Sequence, residues 1–154
     1  MGFKLTYELQ GAGWALARIR DKDEHLDVAV SYLRDSLREL AEAARALAAG
    51  AEFARVVFMD EPGEIQLLLN RTDNGLSYEA RRFDDWNSWG MGAPDRFEVV
   101  FSGVTTVQRF VGEVTSQLES LMQQYGASGY QERWVNRDFP EDLLAQLRAL
   151  GKAD

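Results

Sequence analysis

From its third residue the chain alternates. Phe3, Leu5, Tyr7 and Leu9 fall on one side of an extended segment, and Lys4, Thr6, Glu8 and Gln10 fall on the other. That period of two is what a half-buried strand requires. Gly11-Ala12-Gly13 supplies a turn. Residues 14–20 read as a second strand whose apolar parity changes between Leu16 and Ile19, which predicts either a bulge or a strand that is apolar on both faces. After the polar turn Asp21-Lys22-Asp23-Glu24, the alternation of Leu26, Val28 and Val30 predicts a short third strand. Three strands joined by tight turns make an antiparallel meander.

The period then lengthens. Leu33, Leu37, Leu40, Ala44 and Leu47 step by four and three, forming one helical stripe between Ser31, the predicted N-cap, and Gly50, the predicted stop. A second run of strands follows. FARVVFM over Phe53–Met59 is apolar on both sides, as expected of a central strand covered on both faces. Pro62-Gly63 fits a type II turn before Ile65, Leu67 and Leu69. Asn74-Gly75 marks a hairpin returning through 76–83, because that pair tolerates positive φ at both turn positions. Phe97, Val99 and Phe101 give the last strand. Val107, Phe110, Val111, Val114, Leu118, Leu121, Met122 and Tyr125 define a second long helix ending at Gly126, and Leu143, Leu144, Leu147 and Leu150 a short third one starting at Pro140.

This order predicts a single α+β domain over residues 1–154. One antiparallel meander sheet of about six to seven strands is expected, with the two long helices on one face and a short C-terminal helix. The strand-then-helix order occurs twice, over 3–50 and 53–126, without residue-level identity between the two stretches. Trp134 and Phe139 are placed to latch the last helix to the body, with Arg133, Arg137 and Asp138 as ion-pair formers.

Composition narrows the chemistry. The chain has no cysteine and one histidine, which removes disulfides, thiolate metal sites and cysteine nucleophiles, and no cofactor is expected. The lack of cysteine suits a reducing cytosol, so a cytoplasmic location is expected. Asp and Glu number 25 against 17 Lys and Arg, for a net charge of -8. That sign argues against nucleic-acid and anionic-membrane partners and favours a basic protein. No apolar run is long enough to span a bilayer. The Met1-Gly2 start with Thr6 matches a myristoylation pattern but falls on a predicted strand.

His25 sits among Asp23, Glu24 and Asp27 with Ser31 nearby in sequence, yet nothing in the pattern brings a triad together. Asp21, Asp23 and Asp27 lack the glycine and closing glutamate of a calcium loop. No catalytic or metal residue is assigned. The segment 84–96, DDWNSWGMGAPDR, is long for a connection between strands and carries aromatic side chains among glycines and a proline. Asp84, Asp85, Trp86, Trp89 and Met91 are therefore the expected partner-binding residues, since Trp contributes strongly to interface hot spots. The competing expectation is that both tryptophans fold back to cap the sheet. A ligand cleft or hydrolase centre at Asp60, Glu61 and Glu64, near Asp84 and Trp86, is the alternative site.

Ser31-Tyr32-Leu33-Arg34-Asp35, the turn Glu61-Pro62-Gly63-Glu64, Gly129-Tyr130, Trp134 and Phe139-Pro140 together resemble a family of small, acidic, uncharacterised bacterial proteins. Its members look similar in size and acidity to immunity proteins that neutralise bacterial toxins. The resemblance implies a non-enzymatic binding module with an acidic face for a basic protein, and it carries over no catalytic residues. Besides the ligand-cleft alternative, a homo-oligomer, in the simplest case a homodimer, whose open sheet face is covered by its twin remains a third expectation.

Overall fold

The structure is a computed structural model that describes residues 2–60, 63–133 and 138–152. Among these, seven strands and three helices occur. The first meander runs β1 (Lys4–Gly11), β2 (Trp14–Asp21) and β3 (Glu24–Ser31), paired antiparallel in that order. In β1 and β2 the odd-numbered side chains Leu5, Tyr7, Leu9, Ala15, Ala17 and Ile19 are buried, and in β3 the even-numbered Leu26, Val28 and Val30. Parity is constant along β2, with Trp14 and Leu16 half-buried on the other face, so this strand is two-sided. The irregularity in pairing lies instead between Leu9 and Gly11.

The second meander runs β4 (Phe53–Met59), β5 (Glu64–Thr72), β6 (Gly75–Phe83) and β7 (Glu98–Thr105). The seven strands therefore form two sheets, of three and four strands, where the alternation predicted one. The reason is visible at β4. The N–H of Val57 donates to Glu39 Oε1 at 3.1 Å, and its C=O accepts from Ser36 Oγ at 2.6 Å. Both acceptor and donor come from α1 (Ser36–Ala48), so no strand can pair along that edge. β4 is consequently an edge strand rather than a central one, although Val56, Val57, Phe58 and Met59 are buried on both faces as predicted.

The same device closes β1. Leu5 N–H donates to Glu113 Oε1 at 2.9 Å and Tyr7 N–H to Gln117 Oε1 at 3.1 Å, while Arg109 Nε donates to Phe3 C=O at 2.7 Å. Residues 109, 113 and 117 lie on α2 (Val107–Arg133), one turn apart. One helical turn of four residues rises about 6 Å, close to the roughly 6.7 Å between alternate strand residues, so the two ladders stay in register. Each helix thus lies against a different sheet, α1 against β4 and α2 against β1, and the helices also pack on each other. α3 (Glu141–Lys152) covers both, tied by Arg38 to Asp142 and Arg148 to Glu119.

Boundaries shift for local reasons. Asp35, not Ser31, caps α1 by accepting from Arg38 N–H; the Ser31 hydroxyl instead accepts from Leu33 N–H. The second long helix breaks at Gly126, as predicted: the chain crosses that residue at φ 68°, ψ 172°, a conformation only glycine adopts readily. Beyond this kink a further helical stretch runs to Arg133. Phe139 meets Tyr130 edge-on at 5.3 Å, the expected latch for α3. Trp134 and Arg137 lie outside the described residues, as does the side chain of Arg133.

Candidate functional site

The site is built where β4 and β6 end and β5 begins. Side chains paired across these strands share a face, so Met59, Glu64 and Phe83 stand together on the side of the second sheet away from the main core. Val57, Met59 and Phe83 are buried there, apart from the main core cluster. The segment 84–97 covers them.

Glu64 is 1% exposed. Among the described residues it has no cationic partner, so its charge must be met by hydrogen bonds. Oε1 accepts from the Ser88 hydroxyl at 2.7 Å and the Ser88 N–H at 3.2 Å; Oε2 accepts from Gln66 Nε2 at 2.7 Å. Gln66 follows two residues later on the same face and is itself buried. Trp86 Nε1 donates to the Asp60 carbonyl at 2.9 Å. A short 3-10 turn, Asn87–Trp89, ends at Gly90 with φ 83°, and Met91 N–H returns to the Trp86 carbonyl at 3.2 Å. Farther along, Phe97 packs on Phe83 with centroids 5.6 Å apart, beneath the Arg81 guanidinium at 4.3 Å. The segment is therefore pinned at its start by Trp86, in its middle by Ser88 and at its end by Phe97.

The two tryptophans divide the roles that sequence left open. Trp86 is half-buried and anchored; Trp89 leans on it edge-on at 5.3 Å but is 51% exposed, and Met91 is 48% exposed. Asp84 and Asp85 are exposed. Beside Met91 an open hollow of about 520 Å³ is lined by Arg82, Asp84, Asp85, Arg96 and Phe97.

The alternative cleft is partly assembled. Asp60, Glu64 and Asp84 border a smaller hollow of about 180 Å³ together with Asp27 and Arg82. Glu61 lies outside the described residues. Asp27 faces Arg18 at 2.7 Å, which holds its carboxyl below the usual range. No group of acidic or histidine side chains suited to a metal occurs among the described residues. His25 is exposed while Ser31 is buried, so the two are not brought together. Asp21 bonds the Tyr78 hydroxyl, away from Asp23 and Asp27.

Sequence reasoning found the loop but missed its anchors. Ser88 and Gln66 carry Glu64, and the only signal was two polar residues, Glu64 and Gln66, alternating within an otherwise apolar strand. No described helix is long and apolar enough to cross a membrane.

Fold and site together define an α+β protein of two antiparallel meanders with a tryptophan-bearing loop pinned over one of them. Compared with protein-family models, curated proteins and solved structures, the chain matches none.

Proposed function

We propose that this protein is a cytoplasmic, non-enzymatic binding module that engages a basic protein partner through the 84–97 loop, in the manner of an immunity protein. One observation carries the reading. Trp89 and Met91 are held outward, half exposed, on a loop whose inner side is fixed by a buried carboxylate. A loose loop would let both side chains collapse onto the sheet. A pinned one presents them at little further cost in conformational entropy on binding.

The residues divide the work. Trp89 and Met91 supply apolar contact, Trp86 and Ser88 supply support, and Asp84 and Asp85 supply negative charge at the rim. A chain of net charge -8 attracts a cationic partner over long range, with an association rate that falls as salt rises. A ligand cleft at Asp60, Glu64 and Asp84 is favoured less, because both Glu64 oxygens already hold Ser88 and Gln66.

The test is paired capture with the wild-type chain and a Trp89→Ala/Met91→Ala variant as bait. A basic protein retained by the wild type, released by salt and held at least about ten-fold less tightly by the variant supports the reading. Equal retention by both baits rejects the loop as the contact surface. Failure to bind, at low salt, a basic protein encoded beside this chain rejects the immunity-like role.

A further inference from the structure

The sheet edges are treated unequally. The outer edge of β1 is capped by Glu113 and Gln117, and that of β4 by Ser36 and Glu39. β3 lies against β4 and β7. The outer edge of β7 receives no side-chain cap among the described residues. Unpaired strand edges invite another strand, and proteins usually guard them with charge. β7 carries no charged residue from 99 to 105. It does carry Val99, 47% exposed, and Val104, 67% exposed.

We propose that β7 pairs antiparallel with β7 of a second copy about a two-fold axis at Ser102, joining two four-stranded sheets into one of eight. Three features of the strand fit this occupant. The Thr105 carbonyl points inward against Gly75 of β6, so by the alternation of strand carbonyls those of Ser102 and Val104 point outward, free to pair. Val99 is registered with Arg81 and Val104 with Ser77, which puts both valines on the same face of the sheet. The register shift between Ala80 and Arg81 leaves Val100 as the extra residue beside Val99. About an axis at Ser102, the outward N–H and C=O of Ser102 meet those of its twin, and both exposed valines lie on the same face of the joined sheet. The uncharged stretch 99–105 also meets its own neutral copy without repulsion at the contact. The remaining charge of -8 per copy opposes association at longer range, so screening by salt strengthens this dimer. Salt thus acts here with the opposite sign to its effect on a basic partner at the loop.

The chain has no cysteine, so one introduced thiol reports the geometry cleanly. Ser102→Cys in the full chain places two thiols on residues whose Cα atoms lie about 5.5 Å apart in the pair, within the Cα range of disulfides. Ser77→Cys, on the same face but one strand inward, is the control. Under mild oxidation Ser102→Cys is expected to form a covalent dimer and Ser77→Cys to stay monomeric. Light scattering of the wild type is expected to rise from the mass of one 17.4 kDa chain toward two as salt increases. Val104→Lys, at an exposed position, is expected to weaken the dimer by about ten-fold or more while leaving tryptophan fluorescence unchanged. A monomer at every salt and concentration with no cross-link at 102 overturns the proposal. So does a dimer that cross-links through 77 and not 102, or one that Val104→Lys leaves intact. Loop capture is read separately with the Trp89 variant, so either result stands without the other.

Discussion

Ser88 is the residue on which the loop turns. Its hydroxyl and N–H both reach the buried Glu64 carboxylate, and hydrogen bonds to a charged group contribute about 1.5–3 kcal/mol each. Ser88→Ala removes the shorter of the two, so urea unfolding is expected to show a loss of about 1–2 kcal/mol, with a red shift in tryptophan emission as Trp86 loosens. A loss under about 0.3 kcal/mol would mean that Trp86 and Phe97 hold the loop by themselves. At the β1–β2 turn the opposite change is expected. Ala12 is held at φ 54°, a conformation that strains any residue with a Cβ, so Ala12→Gly should raise the melting temperature, by about 0.5 kcal/mol of stability after the entropy glycine adds to the unfolded chain. An unchanged or lowered melting temperature would show that the turn is not strained. Glycine was also where residue-level reading found the right place with the wrong cause. Asn74-Gly75 does mark a hairpin, yet neither residue has positive φ; Gly75 is needed because a Cβ there would strike the Thr105 carbonyl on β7. Gly63 likewise is not left-handed, as a type II turn would require, and a Cβ there would strike the Phe83 carbonyl. Both demands come from a distant strand and leave no local trace.

At the scale of elements, alternation and helical period located the seven strands and three helices of the described residues, since burial of one face leaves its period in the sequence. What they could not locate was which strand pairs with which. An alternating strand shows its faces, whereas pairing depends on its edges, and edge groups are backbone atoms common to every residue. Here the edges are decided by side chains of α1 and α2, which is why one predicted sheet became two. Glu113 and Gln117 are the clearest case, because each satisfies one N–H of β1. Glu113→Ala or Gln117→Ala should cost about 1–3 kcal/mol by leaving that N–H unpaired at a partly buried edge. Hydrogen exchange should quicken at the Leu5 amide for the first and the Tyr7 amide for the second. If both amides exchange as in the wild type, water replaces the helix without loss and the capping account of β1 fails.

For the whole molecule, the loop at 84–97 was legible because tryptophans set among glycines and a proline are unusual in any core element, but its attachment was not, because Glu64 and Ser88 are far apart along the chain. The same long-range contacts set how the protein responds to pH. Asp27 beside Arg18 and Asp142 beside Arg38 both titrate below the ordinary 3.8, chiefly through those hydrogen bonds. Their folded pKa values are depressed, so their contribution is complete above about pH 4 and disappears as pH falls through the lowered values. Both carboxylates are exposed, and the acid limb should be shallow and flattened by salt. Tyr7 and Tyr78 shift the other way. Burial raises each above the ordinary phenol value of 10.0, and for Tyr78 the hydrogen bond to Asp21 raises it further. A raised folded pKa means that stability is intact below 10 and is lost as pH climbs, because the unfolded chain ionises first. Chemical unfolding across pH should therefore give a plateau between roughly 4 and 10 with the steeper fall on the alkaline side. Phenolate absorbance should show Tyr7 and Tyr78 ionising only as the chain unfolds. Tyr78→Phe removes one of the two protons retained by the fold, so its alkaline limb should be less steep than that of the wild type even if its plateau is lower. Superimposable alkaline slopes for the two proteins would mean that Tyr78 is reached by solvent before unfolding, and that the contact between the β2–β3 turn and β6 opens locally while the rest of the fold holds.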